Sequence, residues 1–264
     1  MHLLYKTTSK KAIKMKGTLS VDGFQIAYTK IKGKKALTIL SMHGLLSSQS
    51  FPKVEQVKKT AQELDVDFIS FDFPAHGDSS GRLEQWRIGL CLKVAQKVLD
   101  KMADPEKPVL VTGNSMGGWI AFLLAEKNPN IKGVLGISTG IDFTDFIWKK
   151  RLPFWAKWQL LRGKILGPNE KTRGYCFSKE MFQDAKKYFL LTRPVRFNRR
   201  VVFLQGKDDH WAPWQRTVKL MDRLTSQNVS LYLIKGGTHL LSRPEDLEHL
   251  SAVVQMMTQE ILNE

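Results

Sequence analysis

Cysteine is nearly absent from this 264-residue chain: Cys91 and Cys176 are its only two, far apart and without metal-ligand spacing. That scarcity excludes a disulfide-stapled scaffold and a thiolate metal centre, and predicts two free thiols in a reducing compartment. His2, His210 and His249 likewise lack a paired ligand spacing, so neither a metal nor a cofactor is expected. Long apolar runs are missing too. No stretch approaches the roughly 18 uninterrupted apolar residues of a membrane span, and the start carries no apolar run of signal-peptide length. The expectation is a cytoplasmic protein. Acids are scarce: 25 Asp and Glu stand against 41 Lys and Arg, a net charge of +16. Within residues 1–35, nine lysines face a single acid, Asp22, and no arginine is present; a mitochondrial presequence would be arginine-rich. Net charge bears on solubility and non-specific association rather than on fold, so nucleic acid is not an expected partner. Weak association with an anionic membrane surface or an anionic substrate is the specific expectation, and a merely solvated basic surface is the plainer one.

Apolar residues, by contrast, make up 42% of the chain, enough to bury a sizeable core in one domain spanning 1–264. Strand-like runs at 18–21, 24–29, 36–41, 66–71, 108–112, 132–137, 200–205 and 229–234 alternate with helical patterns at 52–64, 82–102, 116–127, 212–226 and 244–262. Such alternation predicts right-handed βαβ crossovers, hence an α/β fold with a mostly parallel eight-stranded sheet and helices on both faces. Asp22-Gly23 suits a two-residue type I′ turn, so the first two strands should form an antiparallel edge hairpin. Ser242 and Glu245 have capping-box spacing ahead of the last helix. The rhythm breaks once. Residues 142–194, after the sixth strand, hold no strand-like run, only aromatic and basic residues in helical spacing. The expectation is a helical lid over the C-terminal edge of the sheet. Phe143, Trp148, Trp155 and Trp158 are its candidate pocket residues, and Phe146, Leu160, Phe182 and Tyr188 could line the same acyl pocket. Helices lying on a sheet need an apolar face in any case. Lys149, Lys150, Arg151, Lys157, Arg162 and Lys164 fall in the same segment.

Gly113-Asn114-Ser115-Met116-Gly117 follows directly on Val109-Leu110-Val111-Thr112 and opens a helical stretch. A G-x-S-x-G arises by chance in roughly one chain in ten of this length, so its setting must carry the reading. A serine on so tight a strand-to-helix turn is held in a strained backbone, and its second neighbours must be small because the two backbones nearly touch. Gly113 and Gly117 meet that demand. A serine hydroxyl attacks an acyl carbon well only when a base removes its proton. His239, after the strand-like 229–234, is the candidate base. Asp209 or its neighbour Asp208, after 200–205, is the candidate carboxylate that orients it. Asp209 is preferred because it stands three residues after Gly206 and four before Pro213. All of these positions follow strand C-terminal ends, where open α/β sheets bind ligands. The backbone N–H groups of Met116 and, past the bend at Gly44, of Leu45 are expected to face a developing oxyanion. His43 and His76 read as loop braces.

The segments 71–81, 113–119, 206–213 and 236–245, with His43-Gly44, together resemble the α/β-hydrolase superfamily over nearly the whole chain after residue 18. Residues 117–120 and 137–144 are most similar to the branch containing the mitochondrial acyl-protein thioesterase and acyl-glucuronide esterase with its bacterial relatives. Ala75 stands where many relatives carry glycine. The resemblance implies an α/β-hydrolase fold, Ser115, Asp209 and His239 as a triad, and acyl esters or thioesters as substrates. The leading expectation is a cofactor-free serine hydrolase working through an acyl-enzyme. A carbon–carbon bond hydrolase or lipase of the same fold is the enzymatic alternative. A non-catalytic basic module on a membrane or nucleic acid is the non-enzymatic one. Dehalogenases of this fold use an aspartate nucleophile, against which Ser115 argues.

Overall fold

The computed structural model describes residues 14–172 and 174–264; His2 and the lysines at 6, 10 and 11 lie outside them. Eight strands form one sheet in the order β1-β2-β4-β3-β5-β6-β7-β8. They are β1 (Lys14–Val21), β2 (Phe24–Ile31), β3 (Lys35–Met42), β4 (Val66–Phe71), β5 (Val109–Asn114), β6 (Ile131–Ile137), β7 (Arg200–Gly206) and β8 (Val229–Ile234). β2 runs antiparallel to both β1 and β4, and every pair from β4 to β8 is parallel. Asp22 and Gly23 both take positive φ, 52° and 81°, as a type I′ turn requires.

Successive side chains on a strand point to opposite faces, so Ile39 and Leu40, Phe68 and Ile69, Leu110 and Val111, and Val202 and Phe203 divide between two cores. Strands apolar on both sides need helices on both sides. α1 (Pro52–Glu63) and α8 (Pro244–Leu262) cover one face with Val54, Val57, Leu250 and Met257. α2 (Ile88–Met102) and α3 (Met116–Ala125) cover the other with Val94, Val98, Trp119 and Phe122, and α7 (Trp214–Met221) adds Leu220 there.

Helix boundaries differ from the sequence pattern where tertiary contacts win. The helix expected from 82 begins at Ile88, because Trp86 is drawn into the core in extended backbone and stacks on Phe143. The helix expected over 212–226 spans Trp214–Met221: residues 211 and 212 give their N–H groups to Asp209, and Arg223 and Thr225 bond to Val195. The cap of α8 is Arg243, not Ser242, with Asp246 accepting from the Arg243 N–H at 3.2 Å and from its guanidinium at 2.7 and 2.9 Å.

Between β6 and β7 the chain is helical: α4 (Phe143–Phe146) runs into a π-helical turn (Ile147–Arg151), followed by α5 (Phe154–Leu161) and α6 (Lys179–Lys186). Asp142, left-handed at φ 48°, opens the excursion and also closes it. Its carboxylate accepts the N–H of Leu190, 48 residues on, at 2.9 and 3.1 Å and that of Leu191 at 2.9 Å. Arg216 of α7 donates to the carbonyls of Ile141 and Asp142 from outside.

Candidate active site

Ser115 links β5 to α3 at φ 49° and ψ −112°, a backbone conformation that an L-residue keeps only when its surroundings enforce it. Here they do. Its N–H donates to Ile137 of β6 at 2.9 Å, and its carbonyl accepts from Gly118 and Gly140 at 3.0 Å. A Cβ on Gly117 would stand 2.5 Å from the His43 carbonyl oxygen and 2.7 Å from that of Met42, and one on Gly113 would strike the Gly117 backbone. All of these obstacles are main-chain atoms, at and just past the end of β3 or at the start of α3, and cannot swing aside. Gly117→Ala is accordingly expected to destabilise the fold by about 3 kcal/mol, read as a lower urea midpoint; an unshifted midpoint would contradict the close approach.

The loop after β3 lies against the serine, and a Cβ on Gly44 would be 3.2 Å from Ser115 Cβ. His43 holds this loop. Its Nδ1–H donates to the Gly44 carbonyl at 2.7 Å, and its Nε2 accepts the Phe73 N–H at 3.0 Å. Complete burial, with His76 alongside, pulls its pKa down to about 3. Asp72 is 3.8 Å from Nε2, but that nitrogen is an acceptor on a neutral ring, so the contact is no ion pair.

Asp209 and His239 meet beyond β7 and β8. His239 Nδ1–H donates to Asp209 Oδ2 at 2.8 Å. The same carboxylate accepts from Gln205 Nε2 at 3.0 Å and from the N–H groups of Trp211 and Ala212 at 2.9 and 2.8 Å. Asp209 is buried, whereas Asp208 is exposed and gives its N–H to the Gly237 carbonyl. With Nδ1 committed, Nε2 of His239 is free to act as an acceptor. Among the described residues no side chain is hydrogen-bonded to the Ser115 hydroxyl.

The model of the alpha/beta hydrolase family matches residues 39–250. The chain belongs to this family. The mouse protein named "Palmitoyl-protein thioesterase ABHD10, mitochondrial" is 29% identical over 235 residues, covering 87% of this chain and 77% of the relative. The solved structure of alpha/beta hydrolase domain-containing protein 10 from mouse superposes with a TM-score of 0.83 at 26% identity, over 94% of this chain and 99% of that one. A putative hydrolase from Agrobacterium vitis S4 also reaches 0.83, at 25% identity, over 94% and 98% of the two chains.

In this α/β hydrolase a cleft of about 840 Å³ opens on Ser115 and His239, walled by Leu45, Lys53, Arg151, Tyr175 and Trp211. A narrow recess beside Ser115 is lined by Phe143, Phe146 and Ile147, with Arg151 and His239 at its polar side. Of the aromatics expected to line the pocket, Phe143 does so, packed against Trp86 and Trp119, and Phe146 does so beside it. Trp148 faces a separate cavity with Leu160 and Phe182. Trp155 and Trp158 line neither and stand outward on α5, because Ala156 and Leu160 already supply that helix's inner face.

Lys53 carried no sequence signal. It lies on the first turn of α1, almost fully buried, and its Nζ donates to the His239 carbonyl at 3.2 Å. Burial pulls its pKa down to about 8, against the opposing pull of Asp209 and Asp246. Between that value and the ordinary 10.5 the unfolded chain binds a proton the folded one has released, so folding stability rises with pH across this window. The stability of the native protein relative to Lys53→Met should therefore increase from pH 8 to 10 in paired urea titrations. A constant difference would refute the lowering of the Lys53 pKa by burial.

Proposed function

We propose that this α/β hydrolase is a serine hydrolase that cleaves a carboxylic ester or thioester through an acyl-enzyme on Ser115. The observation that carries the reading is the 2.8 Å Asp209–His239 bond, which leaves Nε2 free on the wall of the cavity that Ser115 also lines. In this reading the Ser115 oxygen attacks the acyl carbon as His239 Nε2 takes its proton, and the serine–imidazole contact tightens with substrate in place. Asp209 fixes the tautomer and stabilises the imidazolium. Negative charge on the acyl oxygen is met by the N–H groups of Met116 and Leu45. Met116 is the first residue of α3, so its N–H has no partner within the helix, and the helix N-terminus favours an anion there. His239 then returns the proton to the leaving alkoxide or thiolate, and water removes the acyl group by the same route.

The segment 142–194 works as a lid on the same domain, its α4 and π-helical turn forming one wall of the acyl recess. The name of the mouse relative supports the thioester branch of the reading. That name also carries the word mitochondrial. Among the described residues no helix is long and apolar enough to cross a membrane. A panel of p-nitrophenyl esters and acyl-CoA thioesters graded by chain length tests the reaction, with fluorophosphonate adducts mapped by mass spectrometry. The expected result is turnover within the panel and one adduct, on the peptide bearing Ser115. No turnover, together with an adduct elsewhere, would defeat the reading.

A further inference from the structure

Helix α5 is apolar on two opposite sides. Ala156 and Leu160 are buried, while Phe154, Trp155, Trp158 and Leu161 are 83%, 56%, 49% and 57% exposed, with Ile165 beyond them at 50%. At about 100° per residue the outer stripe falls opposite the inner one, where a water-facing helix carries polar groups. Half of the ten large apolar side chains exposed among the described residues sit within 154–165.

The charge around this stripe has one sign. Residues 146–169 contain six Lys and Arg and no Asp or Glu. Lys149 is paired with Asp145 at 2.9 Å, Arg151 donates to the His210 carbonyl at 2.6 Å, and Arg162 covers the Trp158 ring at 4.5 Å. Lys150, Lys157 and Lys164 have no ion pair among the described residues.

We propose that α5 and the residues up to Ile165 dock this protein on an anionic phospholipid bilayer, with the helix lying in the plane of the interface. Phe154, Leu161 and Ile165 would enter the acyl boundary, Trp155 and Trp158 sit at headgroup level, and the unpaired lysines reach the phosphates. Charge decides against a second copy of the chain, which would set two groups of unpaired lysines face to face. The inference stands on this surface alone and does not depend on the hydrolytic reaction.

Co-sedimentation and tryptophan emission test it, using the full chain with vesicles of pure phosphatidylcholine or with about 30% phosphatidylserine. The expected result is binding and a blue shift with phosphatidylserine vesicles only, weakened as salt rises from about 0.05 to 0.5 M. Trp155→Ser with Trp158→Ser should lower affinity about ten-fold and remove the shift. The charge variant Lys150→Glu, Lys157→Glu, Lys164→Glu should lower affinity about a hundred-fold, at about five-fold or more per position. Unchanged circular dichroism and melting exclude misfolding of these surface variants. Absence of binding to phosphatidylserine vesicles, or equal binding to both vesicle types, would overturn the proposal. So would a concentration-dependent dimer that the tryptophan variant dissolves.

Discussion

Ser115→Ala is expected to lower ester hydrolysis by about 10⁶-fold and to abolish fluorophosphonate labelling, with the unfolding transition unmoved. No other nucleophilic side chain occupies the turn between β5 and α3, so nothing nearby can take over the attack. The strained backbone supplies a companion test. At φ 49° glycine is the relaxed residue, so Ser115→Gly should be equally inactive yet more stable than Ser115→Ala by about 1 kcal/mol. Labelling that survives in Ser115→Ala would move the nucleophile elsewhere.

Asp209→Asn should reduce kcat by about 10⁴-fold with little change in KM, whereas Asp208→Asn should cost less than a factor of two or so. Asp209 receives four donors, from His239, Gln205, Trp211 and Ala212. An amide in its place cannot accept from all of them, and turning its NH2 toward His239 would force the proton to Nε2, the tautomer that cannot take one from serine. Asp208 is exposed. The opposite ranking in steady-state kinetics would transfer the carboxylate's role to Asp208.

The sheet was legible because its strands are short β-type runs bounded by polar turns, and their apolar residues on both faces predicted helices on both sides. Ser115, His239 and the pair Asp208 and Asp209 were legible for a related reason. Each stands directly behind such a run, and parallel strands bring those ends to one edge. Which aromatic faces the cavity was not legible. Trp155 and Trp158 carry the same apolar content as Phe143, and only the packing of Ala156 and Leu160 inward turns them out. Arg151 read as surface charge, yet it lines the cleft with Tyr175 and Trp211, which come from separate parts of the chain. Lys53 was invisible for the same reason: a lysine in a first helical turn looks solvated until a distant loop is folded over it.

The carboxylate of Asp142, just past the end of β6, ties down Leu190 and Leu191, so the stretch in between leaves and rejoins the fold at one place. It is also rooted along its length: Asp184 accepts the Gly89 N–H, the Tyr188 carbonyl accepts from the Trp119 indole, and Arg151 donates to the His210 carbonyl. A segment of different size grafted between Asp142 and Leu190 would keep the rest of the fold in register only if it rebuilt these three anchors on α2, α3 and the loop after β7. The stretch is thus variable between fixed mooring points rather than a detachable cassette.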